Sequence, residues 1–211
     1  MHYIEERFQT MPWDAFDSVV FDIGNVLIRF SPQHTLDVLI GEDAALKAEL
    51  MERIFRSPHW LDLDRGTATY EQAAQRMSQG NPAIRPAVDR VLGGWMSVKT
   101  PIREGVDALR RCKEMGKRLY VLSNYHEPAY EWLLERYDFF SLFDGGVISC
   151  YVHLLKPEPE IYRELIARCA LEPARTLFLD DTPANVQGAM QAGIAGFLAE
   201  SPQKVARFFG V

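Results

Sequence analysis

The chain has 211 residues, 47% of them hydrophobic and 25% charged, and a formal net charge of -6. That is enough apolar sequence for one sizeable core plus an inserted lobe, and an acidic balance excludes a general nucleic-acid binder while leaving room for a local basic pocket. Residues 1–17 carry Glu5, Glu6, Arg7, Asp14 and Asp17 with no apolar stretch of signal-peptide length, and no later segment could span a membrane, so a cytoplasmic protein is expected. Cys112, Cys150 and Cys169 are odd in number and lack a close Cys or His pairing pattern, which favours reduced core thiols over a disulfide framework or a zinc site.

The first element is the run Ser18-Val19-Val20-Phe21, an apolar strand covered on both faces that ends on Asp22 and turns at Gly24-Asn25. Ligands of open α/β sheets bind at that end of a strand, so Asp22 is a candidate nucleophile as well as a plain turn residue. Beyond it, Leu36, Leu39 and Ile40 share a helical face, as do Leu46, Leu50, Ile54 and Phe55. Thr69-Tyr70-Glu71-Gln72 fits a capping box that follows Gly66 and opens a helix through Met77, and Asn81 to Pro86 reads as a break. Roughly seventy residues without a strand run exceed any βα loop, so residues 31–100 are expected to form a helical lobe inserted between 1–30 and 101–211.

From Arg103 the pattern alternates. A helix from Arg103 to Met115 stops at Gly116, a strand follows at Arg118 to Ser123, and a helix near Ala129 to Arg136 leads to a strand at Gly146 to Ser149. A helix near Glu158 to Ala170, a strand at Thr176 to Leu179, a helix near Ala184 to Ala192, a strand at Ala195 to Leu198 and a helix over Ser201 to Phe209 complete the chain. This predicts an α/β protein with a doubly wound parallel sheet.

Three further sites carry chemistry. Ser123-Asn124 ends an apolar strand on a hydroxyl and an amide able to bond an anionic oxygen, or to cap the next helix. Lys156 precedes Pro157-Glu158-Pro159-Glu160, outside a helix whose dipole offers a lysine nothing there, yet a compact cation could neutralise a phosphate and a carboxylate together. Asp180-Asp181 delivers two adjacent carboxylates from a strand end, and their repulsion and hard oxygen ligands suit Mg²⁺ between them; Asp181 could otherwise simply start the Pro183 helix.

This set of motifs, Asp22, then Ser123, then Lys156, then Asp180-Asp181, resembles the haloacid dehalogenase superfamily over nearly the whole chain after residue 17. Its Asp-Ile-Gly-Asn-Val form is most similar to a bacterial subgroup containing glucose-1-phosphate phosphatase. The resemblance implies a Rossmann-like core, a helical cap over small phosphorylated substrates, and in-line attack by Asp22 to give an aspartyl-phosphate that water resolves. It further implies Mg²⁺ on a carboxylate oxygen of Asp22, the Gly24 backbone carbonyl and Asp181, with Asp180 direct or through water, Lys156 shielding the anions, and Ser123 and Asn124 on the phosphoryl oxygens.

One departure matters. Most phosphatases of the superfamily place a second aspartate two residues after the nucleophile, where it serves as general acid and base; here that position is Gly24. Its loss typically costs about 10²–10⁴ in rate, so turnover is modest, the leaving group is good, or another residue supplies the proton. Candidates are His34, His59, Asp62, Asp64 and Arg65, with His126 the histidine best placed. Asp62-Leu63-Asp64 reads as a loop facing solvent or the cleft, and His153 stands where relatives often have glycine. A small phosphomonoester, a sugar phosphate above all, is the expected substrate. The alternatives are a 2-haloacid dehalogenase, disfavoured by the Asp180-Asp181 pair, and a catalytically weak phosphate-binding protein. A mutase is disfavoured by Gly24, and oligomeric state is not encoded in any motif.

Overall fold

The computed structural model describes residues 12–211. The expectation about residues 1–17, and the start of the 1–30 segment, therefore lie partly outside the described residues. Five parallel strands form one sheet: β1 (Ser18–Phe21), β2 (Arg118–Ser123), β3 (Gly145–Ile148), β4 (Thr176–Asp180) and β5 (Ala195–Leu198), in the order β3-β2-β1-β4-β5. The order reverses around β1, so β2 and β4 flank it on either side with Phe21 level with Val121 and Leu179. A reversal of this kind opens a crevice beyond the carboxyl ends of the strands.

The central strands are apolar in their interiors because both faces are covered. Val19, Phe21, Leu119, Val121, Leu177 and Leu179 belong to one buried cluster, with Leu27, Val106, Leu109 and Phe209. Val20, Tyr120, Leu122 and Phe178 point the other way, against Ile161, Tyr162, Leu165 and Ala189. The two-residue alternation follows from strand geometry. Each fully buried side chain of this size contributes about 1.5–3 kcal/mol, so these rows hold the strand ends level and fix where the site residues emerge.

The longer helices from Arg103 onward are those the sequence predicts, shifted by one or two residues at their ends, where helices fray, and a short helix at Ser149–Val152 is added. Between β1 and β2, Pro32–Ile40, Ala44–Leu50, Pro58–Asp64, Tyr70–Met77 and Arg85–Gly94 are α-helical, with one π-helical turn at Met51–Phe55. The capping box forms as read: Thr69 accepts from the Gln72 N–H and the Gln72 side chain accepts from the Thr69 N–H. Two expectations change. Asp62-Leu63-Asp64 is the last turn of the Pro58–Asp64 helix instead of a loop, because Pro58 starts a helix that these residues complete. Pro86 lies in the first turn of Arg85–Gly94, not in a break, since proline's missing N–H costs nothing there. Among the described residues, no helix is long and apolar enough to cross a membrane.

The loop after Asp22 is held from behind. Arg103–Glu114 packs so closely that a Cβ on Gly105 would stand 1.9 Å from the Val26 carbonyl oxygen, and the Ile102 N–H donates to the Leu27 carbonyl at 2.8 Å. Gly105→Ala should therefore destabilise the protein by about 1–3 kcal/mol, a fall in Tm of several degrees. An unchanged melting curve would mean that this loop is not pinned by the helix.

Candidate active site

Asp22 lies one residue beyond β1, where pairing with β4 ends at the hydrogen bond from the Asp22 N–H to the Leu179 carbonyl. Only 6% exposed, its side chain has two unequal oxygens. Oδ1 accepts from the Ser123 hydroxyl at 2.7 Å and the Ile23 N–H at 2.7 Å, and lies 2.8 Å from Lys156 Nζ. Oδ2 has no such partner among the described residues. Burial, reinforced by the charge of Asp180, pushes the Asp22 carboxyl up to about 7 against the opposing pull of Lys156.

Lys156 is buried between two carboxylates. Its Nζ donates to Asp180 Oδ2 at 2.6 Å and to the Leu122 carbonyl at 3.0 Å, besides facing Asp22. Burial works against the ammonium, but Asp180 and Asp22 outweigh it and hold the pKa above the ordinary lysine value. Asn124 sets the position of this lysine: its side chain donates to the Lys156 carbonyl at 3.0 Å and accepts from the Lys156 N–H at 2.8 Å. Asn124 also lines the cavity that holds Asp22, with its amide oxygen and one amide hydrogen engaged by the Lys156 backbone.

Asp180 and Asp181 do different work although adjacent. Asp180 is fully buried, and both its oxygens are occupied, by Lys156, the Thr182 N–H and the Asn185 amide. Asp181 is half-buried and accepts from Asn25 Nδ2 at 3.0 Å. Carboxylate oxygens of Asp22, Asp180 and Asp181 lie within 4.8 Å of one another, and among the described residues no backbone hydrogen bond reaches the Gly24 carbonyl. All four are hard oxygen donors, the set that a small divalent cation takes.

These residues open on a cavity of about 340 Å³ whose walls include Phe30, Trp60, Asp64, Trp95, Lys99 and Tyr125. Of the proton-transfer candidates only Asp64 reaches it. His126 is walled off by the Trp60 ring, 4.3 Å away, and by Trp95, 5.1 Å away, and lines a different cavity. Its Nδ1 meets the Tyr70 hydroxyl at 3.2 Å, while Nε2 stands 3.3 Å from Asp64 Oδ1 out of hydrogen-bonding alignment. His34 is exposed, His59 and Asp62 pair with each other, and Arg65 bridges to Glu158. His153 adopts φ 58°, the left-handed region that favours glycine, and its Nδ1 lies 2.9 Å from the Arg65 carbonyl oxygen.

Asn25, Asn185 and Lys99 were not singled out by the sequence. Asn25 had a signal, since an asparagine after glycine favours a left-handed turn, here φ 52°. Asn185 stands five residues after Asp180 and touches it only because the Pro183–Gln191 helix turns back over the strand end.

Lys156→Met would leave the buried Asp22 carboxylate beside Asp180 without its cation, which should cost about 3–5 kcal/mol near neutral pH. With the cation gone, the folded state favours protonated Asp22, whereas the unfolded chain releases that proton near pH 4. Stability is then lost as pH rises, and because wild-type Asp22 ionises near 7, the deficit of the metal-free variant against wild type should widen above about pH 7. Chemical denaturation checks it; a deficit independent of pH would contradict this electrostatic picture.

A family model described as haloacid dehalogenase-like hydrolase matches residues 16–193. The chain is 25% identical over 186 residues to the sesquiterpene phosphatase astK of Aspergillus oryzae, covering 86% of this chain and 89% of that protein. It is 36% identical over 200 residues to flavin mononucleotide hydrolase 1 of Arabidopsis thaliana, covering 90% and 74%. Hexitol phosphatase B of Escherichia coli is 24% identical over 195 residues, covering 88% and 84%. Among solved structures, a haloacid dehalogenase family enzyme of Bacteroides thetaiotaomicron in complex with magnesium and inorganic phosphate superposes with a TM-score of 0.67 at 19% identity, covering 87% of this chain and 93% of that one. With the parallel sheet, its strand-end site and this match over most of its length, the chain belongs to the haloacid dehalogenase-like hydrolases.

Proposed function

We propose that the protein is a Mg²⁺-dependent phosphatase that hydrolyses a small phosphomonoester through an aspartyl-phosphate on Asp22. The observation that carries this reading is the asymmetry of the Asp22 carboxylate: Ser123, Lys156 and the Ile23 N–H hold Oδ1, and Oδ2 is left unpaired among the described residues. A carboxylate oxygen of Asp22 attacks phosphorus, the phosphorus–oxygen bond to the alcohol breaks, and water then releases phosphate. Lys156 offsets the repulsion between the carboxylate and the incoming phosphate, and Ser123 fixes the carboxylate plane. Asn124 acts through the backbone of Lys156, and Asp180 keeps that lysine charged and aimed.

Asp22, Asp181 and the Gly24 carbonyl would hold Mg²⁺, and the oxygen donor set fits it. When bound, the ion supplies positive charge against the phosphoryl oxygens. With its oxygens taken, Asp180 contributes through water or through Lys156. In this reading residues 31–100 act as a cap. Arg65 bridges to Glu158, the Asp64 carbonyl accepts from the Ser149 hydroxyl, and Tyr70 meets His126, all contacts that hold the cap helices over the crevice. A sugar phosphate is the substrate expected from the motif subgroup, and the hexitol phosphatase relative supports it. A dehalogenase would have no use for the Asp181 oxygen site.

Asp22→Asn should abolish release of phosphate from p-nitrophenyl phosphate, and a chelator should do the same until Mg²⁺ is restored. Halide release from a 2-haloacid in the presence of chelator would overturn the reading.

Gly24 explains a second property. A Cβ there would meet only Asp22 Oδ2, at 3.9 Å, so Gly24→Asp can be accommodated and would return a general acid. With wild type, kcat should fall steeply as the leaving alcohol becomes less acidic. Gly24→Asp should flatten that dependence, with a gain of tenfold or more on alkyl phosphates, within the range of about 10²–10⁴ expected for such a group. Equal slopes for the two proteins would mean that proton transfer is already supplied from elsewhere.

A further inference from the structure

Lys99 is the unexplained charge of this cavity. It lies where the chain returns from the cap helices to the core, it is 5% exposed, and the Tyr137 hydroxyl donates to its carbonyl at 3.0 Å. Its Nζ sits 3.7 Å from the centre of the Phe30 ring and 4.5 Å from that of Trp95. Both rings line the cavity that holds Asp22, so the ammonium belongs to the same chamber as the nucleophile. Burial alone, with no carboxylate to oppose it, pulls the ammonium down to about 7.

Every other charge in the chamber has a partner or a neighbour. Asp22 and Asp180 share Lys156, Asp181 accepts from Asn25, and Asp64 stands beside His126. Lys99 has only the two ring faces among the described residues. Cation–π contacts recover part of the cost of desolvating an ammonium, but a buried lone charge remains unfavourable until an anion joins it. Beside Lys99 the wall is aromatic, with Asp64 also lining the chamber. Phe30 and Trp60 stack at 6.0 Å with 18° between their planes, and Trp60 meets Trp95 at 5.1 Å.

Building on the phosphatase reading above, we propose that Lys99 binds a second anionic group of the substrate, a carboxylate or a second phosphate, carried on the alcohol whose phosphate Asp22 attacks. The unsaturated or apolar body between the two anions lies along Phe30, Trp60 and Trp95. Lys99 is then a specificity residue: the first anion is read by Lys156 and the cation site, the second by Lys99. A charged hydrogen bond in a desolvated pocket discriminates strongly against a substrate that lacks the matching group.

The test compares phenyl phosphate with the three isomeric carboxyphenyl phosphates in the presence of Mg²⁺. At least one isomer should be preferred in kcat/KM by about tenfold or more, mainly through KM. Lys99→Met should collapse that preference and raise Tm or leave it unchanged, because an apolar chain of similar length replaces a buried unpaired charge. Lys99→Arg should keep the preference, which guards against a variant that fails for other reasons. Turnover of phenyl phosphate with no isomer preferred, or a preference that survives Lys99→Met, overturns the Lys99 assignment and leaves the Asp22 chemistry standing. No turnover of any of the four compounds overturns the phosphatase reading and this inference with it.

Discussion

A buried ammonium between two buried carboxylates is the constraint on which the rest of this molecule depends. Lys156 lies 2.6 Å from Asp180 and 2.8 Å from Asp22 in a part of the protein with almost no solvent access. One cation cannot fully balance two anions, and the residual charge has consequences in both directions. It holds Lys156 protonated, and with burial it keeps Asp22 close to the pH at which it ionises. An arrangement of this kind is weak evidence of selection for stability, since well-packed apolar residues often do as well. It does prepare a place where one further positive charge is welcome, and a divalent ion on the Asp22 and Asp181 oxygens would supply it.

The strand ends that carry these residues are fixed by ordinary packing. Rows of Val, Leu and Phe alternate between two buried clusters, so Phe21, Val121 and Leu179 lie level and the residues after them emerge together. The chemistry is thus borne by loops and strand ends on a rigid scaffold. The helices from Pro32 to Gly94 contribute differently. To the cavity they give Trp60 and Asp64, while Phe30 and Trp95 flank them in sequence, and their contacts to Glu158, Ser149 and His126 tie them to the strand-bearing part of the chain.

The legibility of the sequence divides along the same line. Strands such as Ser18–Phe21 and Thr176–Asp180 could be read because continuous apolar runs bounded by glycine, proline and acidic residues have few other solutions, and Asp22, Ser123, Lys156 and Asp180 each stand at the end of one or beside a helix start. Local rules locate such residues; partners distant in sequence are beyond them. Asn124 has the composition of a phosphate ligand or a cap, and nothing local reveals that its amide bonds the backbone of Lys156, thirty-two residues away. His126 follows Asn124 so closely that it looked within reach of the site, yet Trp60 and Trp95 stand between. Asp64 is one of several acid/base candidates that composition cannot separate, and folding alone brings it into the cavity while leaving Asp62 outside. Lys99 gave no signal because its meaning lies in the absence of a counter-charge, a property of the folded surroundings.

The central claim is that Asp22 forms a covalent bond to phosphorus. Turnover of a phosphomonoester quenched in acid, reduced with borohydride and digested for mass spectrometry tests it directly, because an acyl phosphate is reduced to an alcohol and a free carboxylate is not. The account predicts homoserine in place of Asp22 and at no other position. Continued phosphate release with Asp22 unmodified would contradict it.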